Sequence, residues 1–96
     1  MATREASIET YLRDRVRGAG GICVKLNPAG PVGIPDRLVV LPGGRVLFVE
    51  VKKPKGGVIG KLQYVWRDRL REMGMGHRFV FTRDDVDDII GQGDRT

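Results

Sequence analysis

The 96-residue chain has one cysteine, one histidine and few aromatic side chains, which make up 6% of the total. With only Cys23, no intramolecular disulfide can form, and without a Cys-x-x-Cys pair or a Cys/His cluster a zinc finger is excluded. No apolar run reaches the roughly 18 to 20 residues of a membrane span, so no membrane partner is expected. The start, Met1 to Glu9, lacks the apolar h-region of a signal peptide, and the expected location is the cytoplasm. Internal repeats and linker-like segments are also missing. The length fits one domain spanning residues 1–96 on the usual scale of about 100 to 200 residues.

Charge and hydrophobicity are both present in quantity. Hydrophobic residues make up 41% and charged residues 30%, a balance that argues against intrinsic disorder. Lys and Arg number 17 against 12 Asp and Glu, a formal net charge of +5. That excess suits a polyanionic partner such as nucleic acid but specifies no chemistry.

Periodicity sets out the elements. From Thr3 to Val16, Ile8, Leu12 and Val16 recur four residues apart, an amphipathic helix that ends at Gly18. Ile22 to Leu26 reads as a short strand, followed by a turn-rich loop from Asn27 to Gly33. Arg37–Leu41 and Arg45–Lys52 are β-rich runs joined by Pro42-Gly43-Gly44, a hairpin. The stretch from Lys53 to Gly60 is a basic, breaker-rich loop. Leu62, Val65, Trp66, Leu70 and Met73 then repeat at helical spacing from Lys61 to Gly74, an apolar face expected to cover the sheet. His77 to Phe81 forms another strand. Thr82 with Asp85 three residues later resembles a capping box opening a helix through Val86, Ile89 and Ile90. Residues 91–96 are expected to form a frayed tail. The class is α/β with a mixed sheet flanked by helices.

The chemistry concentrates on one strand. In Phe48-Val49-Glu50-Val51-Lys52, Glu50 and Lys52 project from one face while Leu47, Val49 and Val51 project from the other. Ionised groups in so apolar a run are costly unless paired, hydrated or metal-bound. The hairpin folds Asp36, separated from Glu50 by thirteen residues, back along the Glu50 strand, so the two carboxylates can converge. Two carboxylates with water and a backbone carbonyl suit a hard cation such as Mg²⁺ or Mn²⁺, which takes phosphate oxygens from a substrate. Such a site can hydrolyse a phosphodiester, with Lys52 orienting the attacking water or offsetting transition-state charge. The competing reading is a solvated strand face carrying a surface ion pair, which implies no function.

Pro35-Asp36 followed by Glu50-Val51-Lys52 resembles the PD-(D/E)xK nucleases. The stretch from Gly33 to Lys52 is similar to their virus-type replication-repair (VRR-NUC) branch, and the similarity runs from about Glu5 to Ile90. The resemblance implies a restriction-endonuclease-like αβββαβ core. It makes Asp36 and Glu50 metal ligands, the Val51 carbonyl a third ligand and Lys52 the catalytic lysine. It also implies a glutamate on the first helix near the metal, through water if not directly, and a glutamine at the start of the following helix. Glu5 and Gln63 match those places, with Glu9 as the alternative to Glu5. Where relatives have Ser or Thr before the Leu-Gln pair, this chain has Ile59-Gly60-Lys61, a weaker N-cap.

By the same resemblance the expected activity is Mg²⁺- or Mn²⁺-dependent DNA endonuclease action, with no small-molecule cofactor. The expected substrate is the four-way junction, cut by a homodimer, in the bacterial host's cytoplasm if the chain is phage-encoded. A flap, nicking or restriction-like nuclease and a catalytically silent DNA-binding module are the alternatives. Lys53, Lys55 and Lys61 are candidate phosphate contacts beside the site, as are Lys25 and Arg37. Cys23 reads as a small buried hydrophobe and His77 as a structural or surface residue. Asp84, Asp85, Asp87 and Asp88 suit a helix N-terminus better than a metal cluster. Tyr64 and Trp66 read as core or dimer contacts rather than base-stacking platforms.

Overall fold

Three helices and four strands follow one another in a computed structural model that describes residues 4–26 and 29–92. They are α1 (Glu5–Gly18), β1 (Ile22–Lys25), β2 (Arg37–Leu41), β3 (Arg45–Val51), α2 (Lys61–Glu72), β4 (Gly76–Val80) and α3 (Arg83–Gly91). The strands lie side by side in the order β1-β2-β3-β4, with β1/β2 and β2/β3 antiparallel and β3/β4 parallel. The parallel step follows from the crossover through α2, whereas the antiparallel step from β2 to β3 is a tight hairpin. That hairpin turns through Gly43 and Gly44, with φ of 85° and 80°, a region open to glycine and strained for other residues.

Strand alternation divides the sheet into two unlike faces. Val39 and Leu41 of β2, Leu47, Val49 and Val51 of β3 and Val80 of β4 join Ile8, Leu12 and Val16 of α1 and Val86 and Ile89 of α3 in one core. Each such side chain taken wholly out of water contributes about 1.5–3 kcal/mol. Arg45, buried at the start of β3, donates from Nη2 to the Ile89 carbonyl at 3.0 Å and to Gln92 Oε1 at 3.3 Å. A cation there complements the carbonyl end of α3. Thr82 and Asp85 form the anticipated capping box at the other end of that helix.

The opposite face is covered less completely than the sequence led us to expect. α2 packs over β4, yet none of its residues is buried: Trp66 and Leu70 of the stripe are half-buried, and Leu62, Val65 and Met73 are exposed. Its apolar stripe therefore covers the sheet only in part. Ile22 and Val24 of β1, at the other edge of the sheet, are also exposed. The loop before β2 anchors one flank of α2. Trp66 Nε1 donates to the Val32 carbonyl at 3.1 Å. A Cβ on Gly33, whose φ is 91°, would lie 2.8 Å from the Leu62 backbone.

Boundary differences are small. α1 ends at Gly18 as anticipated and begins at Glu5, while Thr3, where the pattern started the helix, and Asn27, Pro28 and residues 93–96 fall outside the described residues. Gly91 closes α3 rather than opening a frayed tail. His77 is buried, the structural of its two readings, and Cys23 is half-buried with its thiol pushed up by burial. No helix among the described residues is long and apolar enough to cross a membrane.

Candidate active site

The end of β3 and the residue preceding β2 meet because the hairpin pairs Arg37 with Val49. That register sets Asp36 beside Val51, whose N–H donates to Asp36 Oδ2 at 3.0 Å. Pro35, fully buried, holds the approach to the aspartate. Glu50 projects from the sheet face opposite the main core and is only 5% exposed. Lys52 projects alongside it, with Nζ 3.5 Å from Glu50 Oε2, and its backbone N–H donates to the Val80 carbonyl at 2.8 Å. The solvated-face reading therefore fails: Glu50 and Lys52 form a sheltered pair, not a surface one.

Gln63 links the helix to the carboxylate. Its Nε2 donates to Glu50 Oε2 at 2.8 Å, and its Oε1 accepts the Gly60 N–H at 2.7 Å. One amide thus caps the first turn of α2 and fixes the rotamer of Glu50. It supplies from the side chain at the third helical position the cap that Gly60, without a side chain, cannot.

The electrostatics show a site short of positive charge. Burial first, and the neighbouring Asp36 carboxylate next, push the Glu50 carboxyl up to about 7, against a smaller opposing pull from Lys52. Glu50 Oε1 is buried with no hydrogen-bond partner among the described residues. A buried, unpaired carboxylate oxygen facing a second carboxylate is costly, and a divalent cation held between them would satisfy both. The donor set therefore fits a hard cation on Asp36, Glu50 and the Val51 carbonyl.

The remaining expected residues are placed as follows. No third His, Cys, Asp or Glu joins this pair in a metal-holding group among the described residues, so neither Glu5 nor Glu9 closes on it in this conformation. Glu5 is half-buried in the first turn of α1. Glu9 Oε2 stands 3.8 Å from Arg37 Nη2, and the Arg37 side chain is 13% exposed. Arg37 thus faces the helix, and a phosphate contact from it would require that pair to open. Lys25, Lys53, Lys55 and Lys61 are all exposed. Of the C-terminal acids, Asp85 caps α3, Asp87 accepts from Tyr11 and Arg15, and Asp88 accepts from Arg78.

Sequence reasoning missed three features. The Asp36 bond to the Val51 N–H depends on hairpin register, and the Glu9–Arg37 pair depends on how α1 crosses the sheet. The placement of Phe79 opposite Glu50 depends on the parallel pairing of β3 with β4.

The fold and this site can be compared with known proteins. No family model matches the chain. A solved structure described as "VRR_NUC domain" superposes with a TM-score of 0.84 at 35% identity, covering 96% of this chain and 99% of the other. The phage protein named "Putative nuclease p44", from Acyrthosiphon pisum secondary endosymbiont phage 1, is 42% identical over 77 residues, 80% of each chain. The chain belongs to the VRR-NUC family. Its α/β architecture is the VRR-NUC fold, and the comparisons support a nuclease. Within that VRR-NUC frame, Asp36, Glu50, Lys52 and Gln63 lie together at one end of β3.

Proposed function

We propose that this VRR-NUC chain is a Mg²⁺- or Mn²⁺-dependent, structure-specific DNA endonuclease that acts on four-way junctions as a homodimer. The observation that carries the catalytic part is the buried Glu50 carboxylate, with one unpartnered oxygen, set beside the half-buried Asp36 and with Lys52 alongside. When bound, a divalent cation lowers the pKa of water and offsets charge on a phosphodiester transition state. Asp36, Glu50 and the Val51 carbonyl hold it, with Glu5 on α1 as the further carboxylate acting through water. Lys52 Nζ sits within reach of Glu50 and can orient the attacking water or offset developing negative charge on the phosphate. Gln63 keeps the Glu50 carboxylate aimed, so that its two oxygens have different roles: one holds the amide and the other is free. Lys53, Lys55, Lys61 and Lys25 attract the DNA backbone from exposed positions around the site.

Support for the homodimer comes from the exposed apolar side chains of Leu62 and Val65 on α2 and of Ile22 and Val24 on β1. A small domain leaving this much apolar surface exposed has reason to pair it with a second copy. Two sites related by a twofold axis would cut a symmetric branched substrate on two strands. Light scattering on the wild type and Val65→Asp tests this: a dimer that becomes monomeric supports it, and a wild-type monomer at micromolar concentration removes it. Junction cleavage in the presence of Mg²⁺, Mn²⁺ or EDTA, by wild type and Asp36→Asn, tests the reaction itself. Metal-dependent cuts lost in the variant support it, whereas cleavage of flap or duplex alone would keep a nuclease and remove junction resolution.

A further inference from the structure

Tyr64 follows Gln63 directly on α2 and is 40% exposed. Its ring stands edge-on to Phe79, with centroids 5.5 Å apart at 70°. Phe79 is the β4 residue paired in register with Glu50, so this ring contact borders the carboxylate pair. Arg67, one turn further along α2, lays its guanidinium 4.9 Å from the Tyr64 centroid and 6.0 Å from that of Phe79. Its Nε donates to Asp68 at 2.9 Å, which holds the group in place.

Neither a core role nor a dimer role accounts for Tyr64. It is too exposed for the core. At about 100° per residue, it lies about 200° around the helix from Leu62, on the side away from the apolar stripe of Leu62, Val65 and Met73. It shares its own side with Arg67 and Arg71, an aromatic and basic stripe running over β4. Arg71 is tied to that strand through a 3.1 Å bond to the His77 carbonyl. An exposed ring braced from the sheet, beside a fixed guanidinium and next to the carboxylates proposed above to hold the cation that takes the phosphodiester, has the chemistry of a base-stacking position. Every base offers a π-face, and such contacts are tolerant of sequence.

The geometry points to Tyr64 as a stacking platform for an unpaired nucleobase beside the scissile phosphate, with Arg67 bracing the ring and attracting the adjoining backbone. This rests on the nuclease reading above and adds a source of structure selectivity. In a continuous duplex both faces of each base are already stacked, so only DNA that is branched, frayed or single-stranded next to the cut can fill the position.

The test uses a splayed-arm DNA carrying 2-aminopurine at successive unpaired positions next to the branch, beside a matched duplex, in EDTA to prevent cleavage. Wild type and Tyr64→Phe should change the probe's fluorescence at one of these positions. Tyr64→Leu should lose that change and bind the splayed DNA about ten-fold more weakly, with duplex binding and the thermal midpoint unchanged. If Tyr64→Leu fails to fold, the contrast moves to the DNA: an abasic site at the responsive position should weaken wild-type binding by about the same factor. The proposal is overturned if Tyr64→Leu keeps the fluorescence change, if it weakens both DNAs equally, or if it alters the oligomeric state. Adding Mg²⁺ separates the two readings. Wild-type cleavage with an indifferent Tyr64→Leu removes the platform and keeps the nuclease. A retained, Tyr64-dependent fluorescence change without cleavage of any DNA does the reverse.

Discussion

Replacing Glu50 by Gln should stabilise the metal-free protein, and by an amount that depends on pH. Burial and Asp36 raise the Glu50 carboxyl from 4.5 to about 7. At pH 8 the folded protein therefore holds a carboxylate it would prefer to protonate. A shift of that size corresponds to about 3 kcal/mol, at 1.36 kcal/mol per pH unit. The sign follows from proton binding: between 4.5 and 7 the folded state holds more protons than the unfolded state, so stability falls as pH rises through that window. Glutamine is neutral at every pH and can still accept from Gln63. The gain of Glu50→Gln over wild type should be small near pH 4.5 and reach about 3 kcal/mol at pH 8. Urea unfolding in EDTA from pH 4.5 to 8.5 reads this difference directly. Saturating Mg²⁺ should raise the stability of wild type at pH 8 but leave Glu50→Gln nearly unchanged, because binding to the folded state adds stability only where the ligand set is intact. A difference between the two proteins that is flat in pH would refute the account of a buried, repelled carboxylate.

Three further outcomes follow from other contacts. Gln63→Ala removes the bond to Glu50 and the cap on Gly60; unfolding should become easier by about 1–2 kcal/mol and single-turnover cleavage should slow by at least ten-fold. Gly33→Ala places a Cβ 2.8 Å from the Leu62 backbone at a φ of 91°, and should lower the thermal midpoint by several degrees and quench or shift Trp66 fluorescence as the loop leaves α2. His77, buried and flanked by Arg71 and Arg67, has its imidazole pushed down to about 4 from 6.5. The unfolded state then holds the extra proton, so the His77 contribution to stability falls as pH drops from 6.5 through 4, opposing that of Glu50; His77→Phe should remove it, and the stability difference between variant and wild type in urea unfolding should move in the variant's favour as pH falls across that window.

Much of this architecture is legible in local pattern. Ile8, Leu12 and Val16 mark α1, the alternation from Leu47 to Val51 assigns the two faces of β3, and Thr82 with Asp85 marks the start of α3. The pairing of Asp36 with Glu50 follows from the Gly43-Gly44 hairpin, since a tight turn sets the register of both strands. What local pattern does not carry is tertiary placement. Leu62, Val65 and Met73 have the spacing of a buried stripe, but that spacing is the same whether the stripe meets a sheet or solvent. Arg37 looks like an exposed cation in sequence and is turned inward by Glu9 across the crossing of α1. Tyr64 reads as a packing residue, and it does stand edge-on to Phe79, but which strand it meets and that it stays 40% exposed depend on where β4 lies.

Cleavage of a labelled immobile four-way junction, beside matched flap and duplex, by wild type and Asp36→Asn is the most direct test of the central claim. With Mg²⁺ or Mn²⁺, wild type should make paired, symmetric cuts in the junction, EDTA should abolish them, and Asp36→Asn should make none while melting at a similar temperature. Tight junction binding by wild type with no cleavage in either metal would contradict it.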